Sequence, residues 1–313
     1  MSAYSNACII YEMSNLIPQA SINDSDKALS SNRPVFFEDS FESSDLSIYE
    51  LLNLSAIRQG DSLEERMAYR NEFVRFIESD LKPLQPMAFS WELMGQSFES
   101  TSLLFELYMT TLAVGESLLR SESNYKEANM MFSHAEQILK VWKTSDLVYP
   151  ACPHICTKEY LRSLSLLTKS ALLLKDMRTG SRKGVALSSA MQFAGKVPFH
   201  LGDFSETALN HYLASRALLY FDISQRDKES MEQGDKANQS FTAAKEALEV
   251  CRMIDRSKCH MNESLDSDLN MIMEEAPEHM ESMKQVYYAV EVPVESIAIP
   301  ASLKNDTKQT GKN

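Results

Sequence analysis

The sequence predicts an all-α protein: an elongated, irregular helical superhelix of tetratricopeptide-like helix pairs, with an extended C-terminal segment packed back on it. Three observations lead there. Apolar residues recur at helical spacing through most of the 313 residues. Only 9 Gly and 10 Pro interrupt them, although hairpins and tight turns draw on both. After the last long helical stretch the pattern switches to an alternating Val/Ile/Pro run at 287–300.

Residues 1–34, rich in Ser and Asn with a turn signal at Asn32-Arg33-Pro34, read as a poorly ordered N-terminal arm. Val35 to Phe41 has strand-like or extended character. Leu46 to Ile57 reads as a first helix, ending before Gly60. Asp61-Ser62-Leu63-Glu64-Glu65 opens a second with acidic residues in the first turn, where they suit the helix dipole. It carries Leu63, Met67, Arg70, Val74, Ile77 and Leu81 and stops at Lys82-Pro83.

A short Phe-x-Trp turn, Phe89-Ser90-Trp91, then leads into three helical patterns. Phe98 to Arg120 places Leu104, Tyr108, Thr111, Gly115 and Leu118 on one stripe. Tyr125 to Trp142 aligns Ala128, Met131, Phe132, Ala135, Ile138, Leu139 and Trp142. Glu159 to Met177 is apolar on nearly every side, which predicts a helix with neighbours all round it. Further helices follow at Lys183 to Val197, Ser205 to Ser224, Asp235 to Ile254 and Leu265 to Tyr288, with Pro277 marking a kink or break in the last. The helical domain is expected to span 35–303, and the polar residues 304–313 to be a disordered tail. No period near 34 residues repeats, so a regular repeat array is not expected.

Charge and composition narrow the function. With 31 basic against 44 acidic residues the net charge is −13, which argues against nucleic acid as a partner and against unaided docking on an anionic membrane. A local basic patch can still hide in that average. The longest apolar runs, Ala7 to Tyr11 and Val286 to Val290, are far short of the roughly 20 residues a bilayer span needs. No secretory signal, myristoylation glycine or prenylation cysteine is recognisable, so a soluble cytoplasmic protein is expected.

The five cysteines, Cys8, Cys152, Cys156, Cys251 and Cys259, fit reduced thiols. Cys152, His154 and Cys156, with Cys259-His260 as a distant pair, match no standard zinc spacing, so no metal and no cofactor are expected. No convergent nucleophile or acid/base set stands out, and the chain reads as a helical scaffold rather than an enzyme.

Four segments together resemble the Bro-one domain, the helical domain of ALIX-type adaptors of the ESCRT machinery. Phe89-Ser90-Trp91 resembles the family's Phe-x-Trp motif. Residues 98–107, Phe-Glu-Ser-Thr-Ser-Leu-Leu-Phe-Glu-Leu, are similar to its "YERASVLFNL" helix, with departures at Ser100 and Glu106. Residues 125–135 are similar to "KEAAKxFQxAA", and Leu164-Ser165-Leu166-Leu167 follows as in "LSxLMLAQAQE", although the Gln-Ala-Gln is replaced by Thr168-Lys169-Ser170-Ala171. Tyr288-Ala289-Val290-Glu291-Val292-Pro293 resembles "YHxxVP". The likeness spans about 36–303 and lies in the order of weak motifs.

This resemblance implies a non-catalytic adaptor that binds the C-terminal amphipathic helix of a polymer-forming ESCRT-III subunit through an apolar concave patch. Carried over residue by residue, the patch falls on Leu174, Leu187 and Met191, and Tyr288 matches a regulatory phosphorylation candidate. It further implies a short family member, PalC-like or Brox-like, acting in endosomal sorting or endosome-linked ambient-pH signalling. Such a member is expected to be a monomer, cytoplasmic and recruited to endosomes, meeting membrane only through ESCRT-III. The alternative is a generic helical-repeat scaffold that binds an unrelated peptide.

Overall fold

The computed structural model describes residues 30–31, 35, 37, 48–78, 87–93, 96–121, 124–144, 154–176, 183–197, 203–226, 234–256 and 263–297. They fall into two compact units, 30–165 and 166–297. Among them are nine helices that pack largely in sequential pairs, together with one small sheet.

In the first unit, α1 (Ile48–Ile57) and α2 (Leu63–Glu78) precede a hairpin of β2 (Phe89–Leu93) and β3 (Gln96–Ser100). A two-residue strand β1 (Ser30–Ser31) adds to the outer side of β2, so part of what reads in sequence as an arm belongs to the sheet. A capping box starts α2. The Glu65 N–H donates to Ser62 Oγ and the Ser62 N–H to Glu65 Oε2, which satisfies two of the free donors at the helix start. The hairpin corrects two expectations. Phe89-Ser90-Trp91 is a strand rather than a turn, and Phe98 is not in a helix but opposite Trp91 in the antiparallel register. Helix α3 (Leu103–Arg120) begins only after Ser102, whose hydroxyl accepts from the Phe105 N–H. A cap at Ser102 ends the strand there, a signal that apolar periodicity does not register.

Phe89 and Trp91, two apart in β2, are both buried. Phe89 joins an aromatic cluster with Phe37, Phe73 and Phe76, the Phe37–Phe76 pair meeting edge-on with centroids 5.6 Å apart. Trp91 serves a carboxylate instead. Glu106 on α3 is 0% exposed, and accepts from Arg58 Nε at 2.8 Å, Tyr69 Oη at 2.9 Å and Trp91 Nε1 at 2.6 Å. Helix α4 (Tyr125–Thr144) lies along α3 with most of the predicted stripe buried, Ala128, Phe132, Ala135, Leu139 and Trp142, and with Met131 and Ile138 half-buried. The approach is close at Gly115, where a Cβ would stand 2.6 Å from Phe132 Cε1. Glycine is therefore required there by packing.

The division between the units falls within α5 (Lys158–Asp176). Its first half is tied to the first unit by Tyr160 Oη donating to Glu116 and Ser165 Oγ donating to Asn129.

In the second unit the rest of α5 is followed by α6 (Lys183–Ala194), α7 (Asp203–Arg226), α8 (Gly234–Arg252) and α9 (Glu263–Tyr287). Its core is rich in alanine at the helix crossings, Ala190, Ala214, Ala217, Ala243, Ala247 and Ala276, surrounded by Leu219, Leu269 and Ile272. Small residues at these crossings let the helix axes come close. Ser240 Oγ donates to the Ser224 carbonyl at 2.7 Å, and His279 Nε2 lies 3.0 Å from Ser240 Oγ, joining α7, α8 and α9. Pro277 does not break α9. It faces solvent, while Ile272, Ala276, His279 and Met283 hold the turns on either side in the core.

The chain then turns sharply. Tyr288 has φ 54°, and the Ala289 N–H donates back to the Met283 carbonyl. The extended segment runs along α8: the Val290 N–H donates to Asn238 Oδ1 at 2.8 Å, the Val292 N–H to Thr242 Oγ1 at 2.9 Å, and Lys245 pairs with Glu291 at 2.6 Å. A 3₁₀ turn at Val294–Ser296 brings Ile297 into the core. The tail is thus packed back as expected, but Val290 is 60% exposed and Val292 half-buried. Backbone donors and Ile297, rather than a one-sided row of valines, hold it.

Candidate partner-binding site

Leu174 sits in the last turn and a half of α5, and Leu187 and Met191 lie one turn apart on α6. Ser170 Oγ donates to the Ala190 carbonyl at 3.1 Å and couples the two helices at this level. Spacing brings Leu187 and Met191 to the same side of α6, and both meet the apolar cluster that contains Leu174. The three predicted residues therefore join one large apolar cluster, at different depths.

Leu174 is 6% and Leu187 2% exposed, both members of an apolar cluster that also draws on α7, α8 and α9. Met191 is half-buried and packs against that cluster, as do Leu173, Val185 and Ala186 elsewhere on α5 and α6. Val185, Ala186 and Leu173 were not singled out from sequence. The available signal was the all-round apolar character of the Glu159–Met177 stretch. That character suggests enclosure, yet Leu166, Leu172 and Leu173 are only half-buried.

Tyr288 is 85% exposed, in the left-handed backbone conformation just past α9. A tyrosine there carries the Cβ penalty that glycine avoids.

A cavity in the first unit between Arg58, Tyr69, Trp91 and Thr110 has about 10 Å³, room for roughly one water molecule. Among the described residues no three His, Cys, Asp or Glu side chains converge on a possible metal position. Cys156 and Cys251 are buried thiols, and burial pushes the Cys251 thiol pKa up; Cys8, Cys152, Cys259 and His260 lie outside the described residues. No described helix is long and apolar enough to cross a membrane.

Neither a family model nor a curated protein sequence matches the chain. Solved structures do. ALIX in complex with the SIVmac239 PYKEVTEDL late domain superposes with a TM-score of 0.58 at 11% identity, covering 89% of this chain and 47% of that one. The chain thus spans about half of that ALIX polypeptide. A Bro1 (Bro-one) domain described as a structural basis for endosomal targeting matches with a TM-score of 0.51 at 11% identity, covering 91% of this chain and 92% of that one. The Bro1 domain of ALIX in complex with CHMP4C matches with a TM-score of 0.55 at 14% identity, covering 88% and 92%. At such identities only architecture is shared, and it is shared over nearly the full length of both isolated domains. The chain has the Bro1-domain fold.

Proposed function

We propose that this protein is a non-catalytic adaptor that receives the C-terminal amphipathic helix of an ESCRT-III subunit over the α5–α6 rim. Met191 is the contact residue, and Leu174 and Leu187 are the floor that shapes the groove. The observation that carries this reading is half-buried Met191, one turn from Leu187 on α6 and packed against the apolar cluster that holds Leu174, in a fold whose ALIX example was solved with CHMP4C. Methionine suits such a position because its flexible thioether adapts to another helix. Binding of this kind recruits a cytoplasmic monomer to endosomes and brings it to membrane only through its partner, in endosomal sorting or endosome-linked ambient-pH signalling. Tyr288 is the position at which phosphorylation would regulate it, and its 85% exposure makes the hydroxyl reachable.

The test is a titration of the purified chain against C-terminal peptides of the ESCRT-III subunits, CHMP4C included. Met191→Asp is expected to weaken binding by about tenfold or more, because a carboxylate without a partner is desolvated in the groove. Its circular dichroism should remain that of the parent. If no ESCRT-III peptide binds the parent chain, the reading fails and a scaffold for some other peptide replaces it.

A further inference from the structure

Where arginines of this protein withdraw from water, carboxylates go with them. Buried Arg58 pairs with Glu106 at 2.8 Å, and half-buried Arg216 with Glu246 at 2.6 Å. Burial works against both charges, but the carboxylate outweighs it and holds each guanidinium pKa above its ordinary value. Half-buried Arg70 on α2 departs from this pattern. Its Nε donates to Thr111 Oγ1 on α3 at 3.3 Å, Nη1 to Asn71 Oδ1 at 3.1 Å and Nη2 to His134 Nδ1 on α4 at 3.4 Å. Among the described residues no carboxylate pairs with it, and Glu72, two positions on, is taken by Arg75 at 2.8 Å. Burial without that compensation pulls the Arg70 pKa down.

We propose that Arg70, at this junction of α2, α3 and α4, receives a carboxylate side chain from a partner polypeptide. Each terminal nitrogen of the guanidinium keeps a second N–H unspent, so donors remain for an incoming acceptor. The bonds to Thr111 and His134 hold the group in place before a partner arrives, which lowers the cost of docking. Arg66, one turn earlier on α2, is already engaged by Asp61 at 3.4 Å. One uncompensated positive charge suits a carboxylate; a phosphate, with nearly two negative charges at neutral pH, exceeds it. The surroundings favour a polypeptide over a free ion. Met67 and Val74 stand one turn to either side of Arg70, and Met131 and Ile138 one turn to either side of His134, all four half-buried. Apolar side chains next to the partner's acid can cover such residues, and a small anion cannot. This docking point lies in the first unit and does not depend on the α5–α6 reading.

The experiment follows the arginine Nε–H resonances of the isotope-labelled full chain, the Arg70 signal being the one that Arg70→Gln removes. Four probes are titrated separately: the blocked peptide acetyl-Ala-Leu-Glu-Leu-Ala-amide, its Gln counterpart, acetate and inorganic phosphate. The Glu peptide is expected to shift the Arg70 signal and to bind about tenfold more tightly than the Gln peptide. Arg70→Gln should erase that difference with circular dichroism unchanged, because Thr111, Asn71 and His134 are left without a stranded charge. Met191→Asp, in the other unit, should bind both peptides as the parent does. An unmoved Arg70 signal, or equal binding of the Glu and Gln peptides, overturns the proposal. Loss of the Glu peptide in Met191→Asp puts the peptide on α6 and overturns it too, while leaving the ESCRT-III reading standing. If acetate or phosphate moves the signal at the same concentration as the Glu peptide, Arg70 serves free anions and the partner assignment fails.

Discussion

Glu106 accepts hydrogen bonds from Arg58, Tyr69 and Trp91 in a site closed to solvent. Burial works against the Arg58 charge, but Glu106 more than offsets it and holds the guanidinium pKa above its ordinary value. Removing one partner strands the other in the core, so Glu106→Ala is expected to cost about 3–5 kcal/mol in urea unfolding. A double replacement, Arg58→Met with Glu106→Leu, should cost much less, since no charge is left behind. Tyr69 and Tyr160 add a pH signature. Burial, followed by the charges of Glu106 and Glu116 respectively, raises both phenol pKa values well above the usual range. The unfolded chain therefore loses these protons first, and stability present below about pH 10 should fall as pH rises beyond it. Tyr69→Phe should flatten that alkaline decline, as followed by thermal unfolding against pH. The proposed binding residues separate in the same way: Leu187→Asp places an unpaired charge at a 2% exposed position and should cost about 3 kcal/mol or more, whereas Met191→Asp should leave stability nearly unchanged.

Among the elements, the tail behind α9 makes the sharpest expectation. It is held by donors from Val290 and Val292 to α8 and by burial of Ile297. Deleting 288–297 should lower stability by about 2–4 kcal/mol, combining one large aliphatic side chain and two hydrogen bonds less the entropy of ordering the segment. An unchanged melting temperature would show a free linker. The turn that launches it is strained at Tyr288, with φ 54°. Tyr288→Gly should gain up to about 1 kcal/mol in thermal unfolding, because glycine enters the left-handed region without a Cβ clash. Between α3 and α4 the reverse holds. Gly115→Leu has no room beside Phe132 and should destabilise by about 1–3 kcal/mol.

For the whole molecule, the far-ultraviolet circular dichroism should be helical, with the three short strands contributing little. The match to isolated Bro1 domains over about nine-tenths of both chains, at 11–14% identity, shows how loosely this architecture constrains sequence. Cores accept many apolar combinations provided that volume and pattern are kept. Against that tolerant background, the departure at Glu106 from the family motif is instructive: Arg58, 48 positions earlier, supplies its counter-charge.

Helix existence was legible because 3.6-residue periodicity is local: α4 and its buried stripe, the packed tail and the all-helical class all follow from spacing. The hairpin was not. Phe98 fits a helical stripe as well as a strand, and only pairing with Trp91 selects the strand. Continuity of α9 through Pro277 was also decided elsewhere, by the core contacts of its flanking turns. The candidate site divides along the same line. The sequence by itself determined that Leu174, Leu187 and Met191 are apolar and that the last two share a helix face. Their depth depends on which neighbours cover them, and the cluster they join is completed by α7, α8 and α9, later parts of the chain. Burial is a property of the assembled helices, so only the tertiary structure could separate the floor from the rim.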